Sequence, residues 1–175
     1  VKVVFCGDTR NNMAYAWMYG CAKMGMHFVG WGPKELSPSE DIVAYCNEVA
    51  KETGAVLEFG EDLALLKGAD VIYTDIWVSM GEEAKLAERV KQLAPYKVTS
   101  KVMAATENPK CLFMHCLPAY HDFETLTAQH CKEEGYDIRE VDDDVFRSKQ
   151  SVVFDEAENR MHTIKAVMVA TIGNV

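Results

Sequence analysis

The chain lacks a long apolar run: no stretch approaches the roughly 18–20 residues that a membrane-spanning helix needs. It lacks a surplus of positive charge, with 18 Lys and Arg against 27 Asp and Glu and a formal net charge of -9. A binder of nucleic acid or of anionic membranes needs a basic face, so neither is an expected partner. It also lacks paired cysteines. Cys6, Cys21, Cys46, Cys111, Cys116 and Cys131 are scattered without CxxC spacing. They read as reduced thiols of a cytoplasmic protein rather than a disulfide frame or a zinc site. Glycine is scarce where a dinucleotide site would want it. The turn Gly7 to Asn12 has one glycine where that fingerprint has three, so no nucleotide-binding Rossmann domain is read. No signal peptide, internal repeat or low-complexity segment is visible. The chain opens at Val1 directly on a strand, and is expected to be a domain cut from a longer chain, with a processed terminus as the alternative.

What is present suits one domain with a sizeable core: 175 residues, 49% hydrophobic. Short apolar runs at 1–6, 27–31, 55–59, 70–74 and 111–114 read as strands. Helical patterns fall at 13–26, 39–52, 61–67, 82–93, 99–107, 124–134 and 154–172. Asn11 or Asn12 caps the first helix and Gly25 ends it; Ser39 caps the second. Asn108-Pro109 stops the fifth, and the acidic run Asp142 to Asp144 is a solvated turn or a helix start. This alternation predicts a three-layer α/β/α doubly wound parallel sheet.

Ligands of such sheets bind beyond the carboxyl ends of the strands. Two polar clusters fall there. Asp75 ends one strand and is followed by Ser79-Met80-Gly81; it can hold an ammonium group, steer its proton, or merely make an Asx turn. His115 and Cys116 end another strand before Leu117-Pro118, where they can do proton or thiolate chemistry or simply be a strand end with a buried cysteine. Arg160, in the last helix, can present its donor fork to a carbonyl or phosphate, or make a surface ion pair.

Gly7-Asp-Thr-Arg-Asn-Asn12, Asp75-Ile-Trp-Val-Ser-Met-Gly81, His115-Cys-Leu-Pro118 and Ala157-Glu-Asn-Arg160, in this order over the whole chain, resemble the ornithine carbamoyltransferases. Aspartate carbamoyltransferases resemble it in fold but carry Pro where Cys116 stands. The resemblance covers only the family's second, ornithine-binding domain, as residues 1–175. The Ser-x-Arg-Thr and His-Pro-x-Gln segments of the carbamoyl-phosphate-binding domain do not occur. The resemblance implies transfer of a carbamoyl group from carbamoyl phosphate to the δ-amino group of L-ornithine, giving citrulline and phosphate. It implies that Asn12, Asp75, Ser79 and Met80 hold ornithine, and that Cys116, Leu117 and Arg160 contact the carbamoyl group. A thiolate–carboxylate pair of Cys116 and Asp75 would lie at the δ-amine, with His115 orienting Asp75 or the carbamoyl oxygen. No metal or organic cofactor is implied. The complete enzyme is expected to be a homotrimer, and this piece alone a monomer or weak dimer. The family's last helix packs on the first domain, so residues 154–172 are expected to expose an apolar face or swap onto a neighbouring copy. A different amine acceptor such as putrescine, a non-catalytic ornithine-binding domain, and a generic flavodoxin-like domain are the alternatives.

Overall fold

Strand β1, Lys2–Cys6, is the centre of the molecule, and its sequence says why: Val-Val-Phe-Cys is apolar on both faces, as a strand covered from both sides must be. The computed structural model describes residues 1–78 and 83–173. Around β1 stand β2 (His27–Trp31), β3 (Val56–Gly60), β4 (Val71–Thr74) and β5 (Leu112–His115), all parallel, in the order β3-β2-β1-β4-β5. The edge strand β3 is correspondingly less buried than β1 or β4. The outer edge of β5 is covered by the chain itself: Phe113 N–H donates to Gln150 O at 2.8 Å and Val152 N–H to Phe113 O at 3.0 Å.

Alternation along β1 divides the core. Val3 and Phe5 face α1 (Asn12–Met24) and α2 (Glu40–Thr53), where Met18, Cys21 and Cys46 are buried. Val4 and Cys6 face the other layer, where Val102, Val145 and Phe146 pack. That layer holds α4 (Ser100–Ala105) and α6 (Asp143–Phe146). Further along lie α3 (Leu86–Leu93), α5 (Leu126–Glu133) and α7 (Val153–Ile172). Among the described residues no helix is long and apolar enough to cross a membrane. The three-layer doubly wound sheet is therefore the fold.

The first cap is settled in favour of Asn11, whose side chain accepts from Ala14 N–H at 2.7 Å. Gly25 ends α1 in the left-handed region at φ 66°, and a Cβ there would stand 2.7 Å from Thr53 O. Three boundaries differ from expectation. Residues 61–67 make only a four-residue 3₁₀ turn, Leu63–Leu66, begun by Asp62, whose side chain accepts from Ala64 N–H, and ended where Lys67 N–H meets the Ala64 carbonyl. Ser39 stands at the N-cap of α2 without capping it, because its backbone and hydroxyl both meet the Tyr15 hydroxyl. α4 stops before Asn108-Pro109, with Glu107 at φ 53° and the Thr106 carbonyl accepting from Gly68 N–H at 2.7 Å.

β1 and β4 are neighbours in space but not in sequence. The chain winds one way through β2 and β3, then returns to the other side of β1. Loops after β1 and β4 diverge at this switch point and leave a crevice at the carboxyl edge.

Candidate active site

Register brings the site together. Cys6 pairs with Thr74, and Thr74 with His115, so three strands end in one row. The next residue of each strand leaves the sheet at the same edge: Gly7, Asp75 and Cys116. Asp75 and Cys116, 41 residues apart in sequence, thus become neighbours, with the Cys116 thiol donating to Asp75 Oδ1 at 3.1 Å. Asp75 Oδ1 also accepts from Ile76 N–H at 2.8 Å, a contact with the adjacent residue and not the bond two residues on that makes an Asx turn. Its second oxygen is held from a different loop, by Asn11 Nδ2 at 3.1 Å. Asn11 serves both purposes because its amide has two ends. The oxygen caps α1, which turns the NH₂ group toward Asp75. Asn12, the first residue of α1, is exposed beside this cap.

The Cys116 sulfur is not a thiolate at neutral pH. Burial, then the neighbouring Asp75 charge, push its pKa up to about 12. This corrects the expected thiolate–carboxylate pair: the thiol is a donor, and the carboxylate is the proton acceptor. Thiolate reacts with alkylating agents and thiol does not. Against a free cysteine at about 8.5, Cys116 should therefore alkylate roughly 10³-fold more slowly at pH 8. Iodoacetamide labelling followed by peptide mass mapping checks this, and Asp75→Asn should speed it by removing the carboxylate charge beside the thiol.

His115 departs from expectation more strongly. Strand alternation sends it to the face opposite Cys116, where it is fully buried. Its Nδ1 accepts from Leu117 N–H at 2.9 Å, so its proton lies on Nε2, 3.0 Å from Glu140 Oε1. Both ring nitrogens are used inside the protein, so the His115 imidazole makes no hydrogen bond to Asp75 and offers none to a ligand, although the residue itself borders the cleft. Leu117 follows in a left-handed conformation, φ 53°, and its bond to Pro118 is cis.

Arg160 reaches the site from α7. It is exposed and lines a cleft of about 310 Å³ with Met13, Met114, Cys116, Glu156 and Thr163. Glu156 holds this helix against the strand ends: its two oxygens accept from the Tyr73 hydroxyl at 3.0 Å and from His115 N–H at 3.1 Å. Arg160 lies four residues on, hence on the same helical face, so Glu156 aims it. Burial raises the Glu156 pKa. Ser79 and Met80, expected to hold ornithine, lie outside the described residues.

Residue-by-residue reading missed Tyr73, Glu140 and Glu156. Glu156 stands one position before the Ala157-to-Arg160 cluster and was within reach; Glu140 carried no signal, because a glutamate in an acidic stretch reads as solvated. His121, Asp122 and Asp143 lie close enough to share an ion. Arg147, however, donates to Asp143 at 2.8 Å and lies 3.3 Å from Asp122, so the charges are met by a guanidinium.

Residues 1–171 match the family model of the aspartate/ornithine carbamoyltransferase Asp/Orn binding domain. The chain belongs to the aspartate/ornithine carbamoyltransferase family. It is 64% identical to the catabolic ornithine carbamoyltransferase of Clostridium perfringens, over 99% of this chain and 53% of that protein. It is 52% identical to the Thermotoga petrophila ornithine carbamoyltransferase, over 98% of this chain and 50% of that one. Among solved structures, ornithine carbamoyltransferase from Pyrococcus furiosus superposes with a TM-score of 0.82 at 38% identity, covering all of this chain and 50% of the other. The chain spans about half the length of the curated relatives it matches. Within the family fold, Asp75, Cys116 and Arg160 converge on one edge of the sheet.

Proposed function

We propose that this chain is the ornithine-binding half of an ornithine carbamoyltransferase. One observation carries the reading: a carboxylate at the switch point, oriented by Asn11 and the Cys116 thiol, facing the crevice where this sheet takes its ligands. An alkylammonium is the complement of such a group. The bound ammonium first gives up one proton to solvent, and the neutral δ-amine then attacks the carbonyl carbon of carbamoyl phosphate. A C–N bond forms, the bond from carbon to the bridging phosphate oxygen breaks, and phosphate leaves with that oxygen. Asp75 is the acceptor for the proton that nitrogen loses. Cys116, protonated, and the Leu117 carbonyl flank the reacting atoms, and Arg160 faces the carbamoyl group. Asn12 stands at the mouth of the crevice for the amino-acid end; the family resemblance assigns Ser79 and Met80 to the same end of the ligand. The chemistry runs through side chains and backbone, without a metal or organic cofactor.

A preceding carbamoyl-phosphate domain is part of this proposal, and α7 supports it. Met161, Ile164, Met168 and Ile172 recur at helical spacing and are each about half or more exposed. Such a stripe is a surface made to be covered. We place the missing half on it, the complete enzyme as a homotrimer in the cytoplasm, and this piece alone as a monomer or weak dimer.

The complete enzyme should form citrulline from ornithine and carbamoyl phosphate, and should use putrescine poorly. The isolated 175 residues should form none, because the phosphate clamp lies in the other half. Preference for putrescine, or citrulline formation by the isolated chain at the complete enzyme's rate, would defeat the reading.

A further inference from the structure

The sequence around His115 points to chemistry, yet the side chain is sealed away from the cleft. What it does there follows from its two partners. Nδ1 takes the Leu117 N–H at 2.9 Å, and this contact holds the peptide that enters the left-handed turn. A leucine does not settle into that region unaided. The Nδ1 lone pair is available only while the proton sits on Nε2. Glu140 Oε1 stands 3.0 Å from Nε2 and accepts that proton's hydrogen bond. The same oxygen accepts from Tyr120 N–H at 2.6 Å, so it ties both ends of residues 115–120. Glu140 is itself fixed: its carbonyl accepts from Val98 N–H, and Val98 N–H and C=O bracket residues 140–142 in a bridge.

We propose that Glu140 is a positioning residue for carbamoyl transfer, holding His115 in the Nε2–H tautomer so that Cys116 and the Leu117 carbonyl are presented to the reacting atoms. The inference rests on the ornithine carbamoyltransferase reading and deepens it. The lock does not depend on Glu140 being charged. Burial raises its pKa while the His115 hydrogen bond opposes that, and Oε2 is buried without a partner among the described residues. A proton, if taken, goes to Oε2 and leaves Oε1 free to accept. If the acceptor is lost, the ring is free to carry its proton on Nδ1. It then points N–H at N–H, and the Leu117 turn gives way. A displacement of about 1 Å in groups next to the reacting centre costs about 10²-fold in rate.

The test uses the complete enzyme. Glu140→Ala should lower kcat by about 10²-fold while KM for ornithine changes less than about threefold, because the amino-acid end is gripped elsewhere. Glu140→Gln, which keeps one oxygen for both donors, should recover most of that loss. Glu140→Ala should add little in a His115→Asn background, since the two act as one unit. Glu140→Gln as impaired as Glu140→Ala, a loss expressed in KM, or additive effects would each overturn the proposal. Should Glu140→Ala fail to fold, His115→Asn and His115→Gln decide. Asn places an acceptor where Nδ1 stands and Gln reaches only toward Glu140. At least about tenfold higher kcat for His115→Asn supports the proposal, and any other order overturns it. A wild-type enzyme that makes no citrulline would instead sink the functional reading, before any variant is compared.

Discussion

Asp75→Asn in the complete enzyme should lower kcat/KM for ornithine by about 10²–10⁴-fold, the range contributed by a positioned general base. Three losses fall together. The amide cannot take the amine's proton. It no longer offers a charge to the ammonium. Its NH₂ group must also face either the Asn11 Nδ2 donor or the Cys116 thiol, both of which now donate to the carboxylate. The KM for carbamoyl phosphate should move little, because the carboxylate faces the acceptor's side of the crevice. Steady-state kinetics with each substrate varied in turn checks this. A loss below tenfold, or one shared equally by both substrates, would show that another group accepts the proton.

The second large effect is on stability at high pH. Cys6, Cys21 and Cys111 are fully buried, and burial pushes each thiol well above its unfolded value, Cys21 and Cys111 to about 11 and Cys6 beyond that. The sign follows from proton counting. Above an unfolded thiol pKa of about 8.5 the unfolded chain gives up these protons while the folded chain keeps them, so stability falls as pH rises. The contribution is intact below about pH 8.5 and is lost progressively as pH climbs toward the folded values. At pH 10 each thiol costs about 2 kcal/mol, hence about 6 kcal/mol for the three. That is a large share of the 5–15 kcal/mol by which domains are commonly stable. Urea titrations under reducing conditions at pH 7, 9 and 10 should show the midpoint fall steeply over the last step. A midpoint that stays level would mean the thiols are not desolvated as the burial indicates.

The elements that could be read along the chain were those whose patterns are local. The five strands were legible because buried parallel strands are short apolar runs between turn residues, and Gly25 announced the end of its helix. Residues 61–67 were not legible. Their apolar spacing suits a helix, but Leu63–Leu66 closes as a 3₁₀ turn with Leu66 buried in the core. The exposed apolar stripe of α7 was foreseen from the family resemblance, whereas the pattern along the chain gave only a helix.

The site divides in the same way. The sequence by itself determined which residues stand at strand ends, and so placed Asp75 and Cys116 at the carboxyl edge of the sheet. The order of the strands, the register that sets Thr74 beside His115, and the side to which each side chain turns were decided by tertiary structure. These depend on pairings between residues far apart in the chain. Only the packed fold shows that Cys116 is a thiol, that His115 faces inward, and that Glu140 and Glu156 stand behind them. Burial and the partners of a buried group are properties of the assembled layers, and no local pattern encodes them.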